Sequence, residues 1–246
     1  MISEATFSKK FTSFWNEILP NSKSYVRLIN GGYLEAVYEP FDTADRKHNT
    51  ALINVLSFSL LRSVLNKEQK YSEVCSTKYL QSSHFKGVIE KSLLYLAKFN
   101  YGDDCELPLN SKELLQTTQL FKVMYHRYVA AGQITEVDPK FDGCGFVNQS
   151  FGDLMSNQTL IEIKSGERRF SVTDVRQVLT YLVLNHYSRR PKRISHVELF
   201  NPRMGISFTE GVNSFCLNTS ALNSQELFSE IQKFISDNNF VEVYGT

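Results

Sequence analysis

The sequence predicts an α/β protein, a central mixed β-sheet flanked by helices, with an N-terminal α+β extension. Two patterns and one bulk property carry this. Segments with apolar residues at helical spacing are separated by short runs of strand composition, and over the second half they follow the order helix, strands, helix, strands, helix. Turn-forming residues punctuate those runs. The chain has 246 residues and 42% hydrophobic content, enough for a real core.

The elements follow in order. Phe7, Phe11, Phe14, Trp15 and Ile18 fall at helical spacing and predict an opening aromatic helix whose stripe is core rather than a partner surface. Short strands at 25–29 and 33–38 flank Gly31-Gly32, which reads as a hairpin turn. Helices are expected at 49–65 and 85–99. Tyr101-Gly102-Asp103-Asp104 reads as a turn and divides an accessory region, 1–104, from a second domain, 105–246. That domain opens with a helix at 112–130, closed by Gly132. Strands are expected at 134–141, 145–147, 153–155, 160–164, 196–200 and 206–208. Between them a helix spans 173–187, begun by a capping box in which Ser171 is the N-cap and Asp174 the third helical residue. A last helix at 224–235 carries Leu227, Phe228, Ile231 and Phe234 on one side and is expected to pack on the sheet.

Composition removes several function classes. Net charge is +1 and pI about 7.7, less basic than proteins that coat DNA through non-specific phosphate contacts. The four cysteines are scattered without a C-x-x-C pair, which argues against zinc ribbons and disulfide frameworks. No signal peptide is visible, and the most apolar stretch, 51–65, is too short and polar to span a membrane, so a cytoplasmic protein is expected. Five histidines lack zinc-hydrolase spacing. Neither a P-loop nor a G-x-G-x-x-G sequence is present, so no nucleotide cofactor site of its own is expected.

The chemistry concentrates between Gly152 and Tyr181. Residues two apart in a strand share a face, so Glu162 and Lys164 point together while Ile161 and Ile163 point to the other side. Ser156-Asn157-Gln158-Thr159 is turn chemistry, and a hairpin there brings Asp153 toward the same face. Two converging carboxylates repel, and bound Mg²⁺ or Mn²⁺ relieves that cost. Such an ion would hold a scissile phosphate and lower the pKa of a bound water. Lys164 could orient that water or stabilise charge at phosphorus, and the Ile163 carbonyl is a further candidate ligand. Gln177 and Tyr181, four apart, lie on one helical face that Asp174 can share. A glutamine both donates and accepts, which suits a bridge to a lysine, phosphate or base. The plainer alternatives are a solvated Glu162–Lys164 pair on a surface hairpin and a polar helix stripe with its hydrogen bonds satisfied internally.

Taken together, Gly152-Asp153, Leu160-Ile161-Glu162-Ile163-Lys164-Ser165-Gly166 and Gln177-x-x-x-Tyr181 resemble the PD-(D/E)xK nuclease superfamily, in particular its RecB-like branch with a Gln-x-x-x-Tyr element. The resemblance covers roughly residues 134–208. It implies a restriction-endonuclease-like core and Mg²⁺-dependent hydrolysis of DNA, with Mn²⁺ able to substitute. Asp153, Glu162 and Lys164 would form the catalytic centre, supported by Gln177 and Tyr181, and Asp153, Glu162 and Ile163 would hold the metal. Arg168, Arg169, Arg176 and Arg203 are then the expected substrate contacts. A protein partner subunit, in a restriction or antiviral system, would fit family habits. The sequence departs from the pattern in lacking a proline before Asp153 and an obvious acid on a preceding helix, where Glu113 and His126 are poor matches. Asp142 competes with Asp153 as first acid, and Gly143 and Gly145 are expected to serve a bend beside the site. Arg189-Arg190-Pro191-Lys192-Arg193 is a candidate phosphate contact or a solvated loop. A non-catalytic scaffold of this fold and an RNA-directed nuclease are the rival functions.

Overall fold

Residues 1–42, 45–98, 104–130, 132–133 and 135–238 are described by a computed structural model. The opening aromatic segment is two helices rather than one, α1 (Glu4–Lys9) and α2 (Thr12–Ile18). Phe11 between them takes a left-handed φ of 57°, and the break turns Phe7 and Trp15 into one core. The expected 25–29/33–38 hairpin does not form. α3 (Ser22–Leu28) runs through it into a π-helical turn at Ile29–Tyr33, and β1 (Glu35–Ala36) pairs elsewhere. α4 (Thr50–Leu65), two single-turn helices α5 (Tyr71–Val74) and α6 (Thr77–Leu80), and α7 (Ser83–Ala97) follow. Most of the expected boundary turn at 101–104 lies outside the described residues.

The second half contains α8 (Ser111–Tyr128), β2 (Thr135–Val137), β3 (Lys140–Phe141), β4 (Ser150–Phe151), β5 (Leu154–Ser156) and β6 (Thr159–Ile163). After these come α9 (Val172–His186), β7 (His196–Asn201), β8 (Ile206–Gly211), α10 (Val212–Ser220) and α11 (Ser224–Asp237). The segment 145–147 makes isolated bridges to Ile2 and Cys144 instead of a strand. Helix α10 was not expected from the sequence.

The fold is α/β, with a six-stranded mixed sheet in the order β1-β8-β7-β6-β5-β2 flanked by helices. β6 and β7 are parallel, joined through α9, and the other neighbours are antiparallel. β3 and β4 form a separate two-stranded ribbon. One face of the sheet, through Leu160, Val197, Leu199 and Phe208, packs with Val175, Val178, Leu179 and Leu182 of α9 and with α1–α3, α10 and α11. The other face, through Leu154, Ile161 and Phe200, packs with Leu52, Leu56 and Leu60 of α4 and Phe121 and Met124 of α8. Residues of the N-terminal region thus contribute to both helical layers. α11 buries Leu227, Phe228, Ile231 and Ile235 against α9, α10 and α2, one layer out from where it was expected. Its Phe234 stacks on Phe14 at 3.8 Å between centroids.

The loop after β3 joins the first residues of the chain to α11. Ile2 N–H donates to the Phe146 carbonyl (2.8 Å), and Phe146 N–H donates to the Ile235 carbonyl (3.0 Å). Gly145 makes this possible: its φ is +53°, and a Cβ there would lie 1.9 Å from the Ile235 oxygen. Its bend therefore serves the C-terminal helix, not the residues around Glu162. No helix among the described residues is long and apolar enough to cross a membrane.

Candidate functional site

The β5–β6 hairpin turns through Asn157 (φ 45°) and Gln158 (φ 71°), two left-handed residues of the kind that match hairpin twist. Its register pairs Leu154 with Ile161, Met155 with Leu160 and Ser156 with Thr159. One residue further, Asp153 stands opposite Glu162, and directly opposed residues project to the same face. An Asp153 carboxylate oxygen (Oδ2) accepts the Ile163 N–H at 2.7 Å, which fixes the acid against β6. Gly152 beside it sits in a tight space, because a Cβ would lie 3.2–3.3 Å from side-chain atoms of Leu160, Phe141 and Pro139.

Glu162 and Lys164 face α9, as strand alternation requires, while Ile161 turns to the opposite core. The capping box at Ser171 and Asp174 forms, setting the phase of α9. That phase carries Asp174, Gln177 and Tyr181 along one stripe over the strand. Lys164 Nζ donates to Glu162 Oε1 (2.6 Å) and Gln177 Oε1 (2.8 Å), and lies 3.7 Å from Asp174 Oδ1. Gln177 Nε2 donates to the Tyr181 hydroxyl (2.9 Å), which points its own proton at Glu4 Oε1 (3.4 Å). The other Glu4 oxygen accepts from Ser150 Oγ at 3.0 Å. The glutamine thus uses both its functions, linking the lysine to the tyrosine.

Burial governs the electrostatics. Desolvation, then the nearby Asp153 charge, push the Glu162 carboxyl up to about 8, only partly offset by Lys164. Desolvation also raises Asp153, against the pull of Lys164 and the Ile163 N–H. Burial opposes the Lys164 charge, but Glu162, Asp174 and Asp153 outweigh it and raise its pKa. Asp174, despite burial, is held below the usual carboxylate range by Arg168 and Lys164. Desolvation and the charges of Glu162, Glu4 and Asp153 hold the Tyr181 phenol protonated.

The donor set suits a hard divalent cation in one respect and is sparse in another. Glu162 Oε2 is buried without a hydrogen-bond partner, an orphaned acceptor of the kind a cation satisfies. Oxygen ligands from Asp153, Glu162 and a backbone carbonyl such as that of Ile163 match Mg²⁺ or Mn²⁺ rather than zinc. Among the described residues no three His, Cys, Asp or Glu side chains converge as a ligand set, so water would have to complete the coordination.

The other expected residues separate. Asp142 lies at the far end of α9, where its carboxylate accepts from Arg189 N–H (3.1 Å) and its backbone N–H donates to Ser188 Oγ (2.9 Å). Asp153 is therefore the acid that stands beside Glu162. Arg168 is committed to Asp174 through two bonds (2.7 and 2.8 Å), and Arg169 donates to the Asn30 carbonyl. Arg176 is buried over the Trp15 ring, and its one side-chain hydrogen bond among the described residues is to Asn16 Oδ1 (3.3 Å). Arg203 is 1% exposed, and its guanidinium holds the Ser165 carbonyl (3.0 Å) and Asn54 Oδ1 (2.9 Å). It braces the strand end through these bonds.

Glu113 and His126 belong to the opposite helical layer, where Glu113 pairs with Arg46 and His126 meets Tyr71. The acid that a preceding helix contributes is Glu4, in the first turn of α1. No local signal marks it, since its partners Ser150 and Tyr181 lie 146 and 177 residues away. Tyr95 on α7 also falls within the field of Asp153 and Glu4, so α7 lies near the same acids. Neither a scan against protein-family models nor a search of curated protein sequences finds a match to this chain.

Proposed function

We propose that the protein is a divalent-metal-dependent nuclease that hydrolyses DNA phosphodiester bonds. The observation that supports this most directly is the buried Glu162 oxygen without a partner, facing Asp153 across one hairpin and Lys164 two residues along the strand. Burying two carboxylates that repel each other is costly unless a cation or proton offsets it. Asp153 and Glu162, with the Ile163 carbonyl, would hold Mg²⁺ or Mn²⁺. A cation held there supplies charge that stabilises the phosphoryl oxygens and eases ionisation of the attacking water. Lys164, kept protonated by Glu162 and Asp174, contributes a point charge toward the transition state, and Gln177 fixes its direction. Tyr181, hydrogen-bonded on both sides, holds Gln177 in the orientation that accepts from the lysine. The setting would be a cytoplasmic one, with a partner subunit to be sought in restriction or antiviral systems.

A non-catalytic scaffold is favoured by one observation, the lack of a third acidic side chain in the ligand set among the described residues. Cleavage of plasmid and linear DNA with Mg²⁺, Mn²⁺ or EDTA separates the two. Wild type should cut with metal, and Glu162→Ala and Lys164→Ala should each lose about 100-fold or more. Equal activity in all three proteins, or none in any of them with or without a candidate partner, would remove the catalytic assignment.

A further inference from the structure

The β3–β4 ribbon has two unlike faces. Its register pairs Phe141 with Ser150 and Lys140 with Phe151. The first pair is buried and turned toward the site: Phe141 packs on Tyr181 at 5.6 Å between centroids, and Ser150 bonds Glu4. The second pair is turned outward, and Phe151 is 51% exposed. An open cavity of about 590 Å³ adjoins Lys140, lined also by Asp142, Ser188, Arg189, Arg190 and Lys192. Four cations thus face one carboxylate, in a chain whose net charge is only +1. Lys192 is neutralised by Glu136 (2.8 Å), and Arg189 is paired with Asp142, which accepts both its backbone N–H (3.1 Å) and its guanidinium Nε–H (3.4 Å). Lys140 and Arg190 form no ion pair among the described residues. The negative end of the α9 dipole explains cations just after the helix, but not Lys140, which comes from the ribbon.

We propose that this outer face is a docking track for single-stranded DNA, with Phe151 stacking a base and Lys140 and Arg190 contacting phosphates. An exposed aromatic ring beside unpaired cations is the combination that binds single strands irrespective of sequence. A duplex offers phosphates but no free base face, so it leaves Phe151 without a partner. The position suits the substrate: Phe151 is two residues from Asp153, about 7 Å along an extended backbone. A strand stacked there would need only a step or two around Gly152 to reach the acids. This track rests on the nuclease reading and assigns its substrate as a single strand.

The test is fluorescence anisotropy with a labelled oligothymidylate of about 12 nucleotides in EDTA, so that binding is read without cleavage. Phe151→Ala should weaken binding about 5- to 100-fold, with Phe151→Trp restoring it. Lys140→Gln with Arg190→Gln should weaken it about tenfold and flatten the slope of log K against log salt by roughly 1.4. All these side chains are exposed, and a thermal melt confirms that each variant folds. Unchanged affinity in Phe151→Ala and in the double variant, no binding by wild type, or tighter binding of duplex DNA or of oligouridylate would each overturn the track. Cleavage that needs Glu162 but ignores the ribbon would leave the nuclease and remove the track. Ribbon-dependent binding without metal-dependent cleavage would do the reverse.

Discussion

Exchanging Glu162 for glutamine removes one ionisable group from the buried pair while keeping its shape, and its effect on stability has a calculable pH dependence. The carboxyl is pushed from an ordinary 4.5 up to about 8 in the folded protein. The unfolded chain therefore releases this proton near 4.5, while the folded chain keeps it to about 8. The stabilisation is complete below the lower value and is lost as pH rises through the upper one. Within that window the folded state binds one more proton, so stability falls by about 1.4 kcal/mol per pH unit. Between about pH 5.5 and 7.5, metal-free wild type should lose about 2–3 kcal/mol relative to Glu162→Gln. For a chain of this size that is a difference of about 5–10 °C in Tm. Urea unfolding in EDTA at several pH values measures it, and Mg²⁺ should restore the high-pH stability of wild type alone. Parallel pH profiles for the two proteins would refute the reasoning, because they would mean that Glu162 is neither desolvated nor crowded by Asp153.

Three further substitutions probe the surroundings of this pair. Lys164→Met should cost about 3–5 kcal/mol at high pH, where it strands buried carboxylates, and less at pH 6, where Glu162 takes up a proton; urea melts at both pH values check this. Gly152→Ala should cost about 1–3 kcal/mol in the same assay and reduce cleavage further than stability explains, because the added methyl crowds Leu160, Phe141 and Pro139 and displaces Asp153. Arg203→Met should destabilise by about 2 kcal/mol or more through the lost bonds to Ser165 and Asn54, yet leave DNA affinity within about twofold of wild type; a large affinity loss in a folded variant would return Arg203 to the substrate side.

The site was legible where its geometry is local. The turn at Asn157-Gln158, the alternation along Glu162-Ile163-Lys164 and the four-residue spacing of Gln177 and Tyr181 each depend on neighbours in sequence, and each forms. The failed hairpin at 25–38 has an equally local cause. Ser22, Tyr25, Val26 and Ile29 are the buried positions, which is a helical period, and the Gly31-Gly32 pair drew attention away from it. Glycines that bend a chain do not require strands on either side. The arginines illustrate a different limit: guanidinium groups near a phosphate-type motif suggest substrate, and the sequence does not show that Arg168, Arg176 and Arg203 are oriented by Asp174, Trp15 and Ser165. The partners of Arg176 and Arg203 come from tertiary packing, which composition does not encode. Glu4 was invisible on the same grounds.

The site therefore has parts with very different histories of assembly. Asp153 and Ile163 are 10 residues apart, whereas Glu4 and Ser150 are separated by 146. Closing the larger loop costs about 2 kcal/mol more in chain entropy if nothing between is ordered. The hairpin and α9 can consequently form an acid–lysine–glutamine unit early, with α1 arriving only when Ile2 clips onto the loop at Phe146. A six-residue helix held in this way should also be among the first to detach. Amide exchange in α1 should then run ahead of exchange in β6 and α9, giving native molecules that keep the lysine pair but intermittently lack their fourth acid.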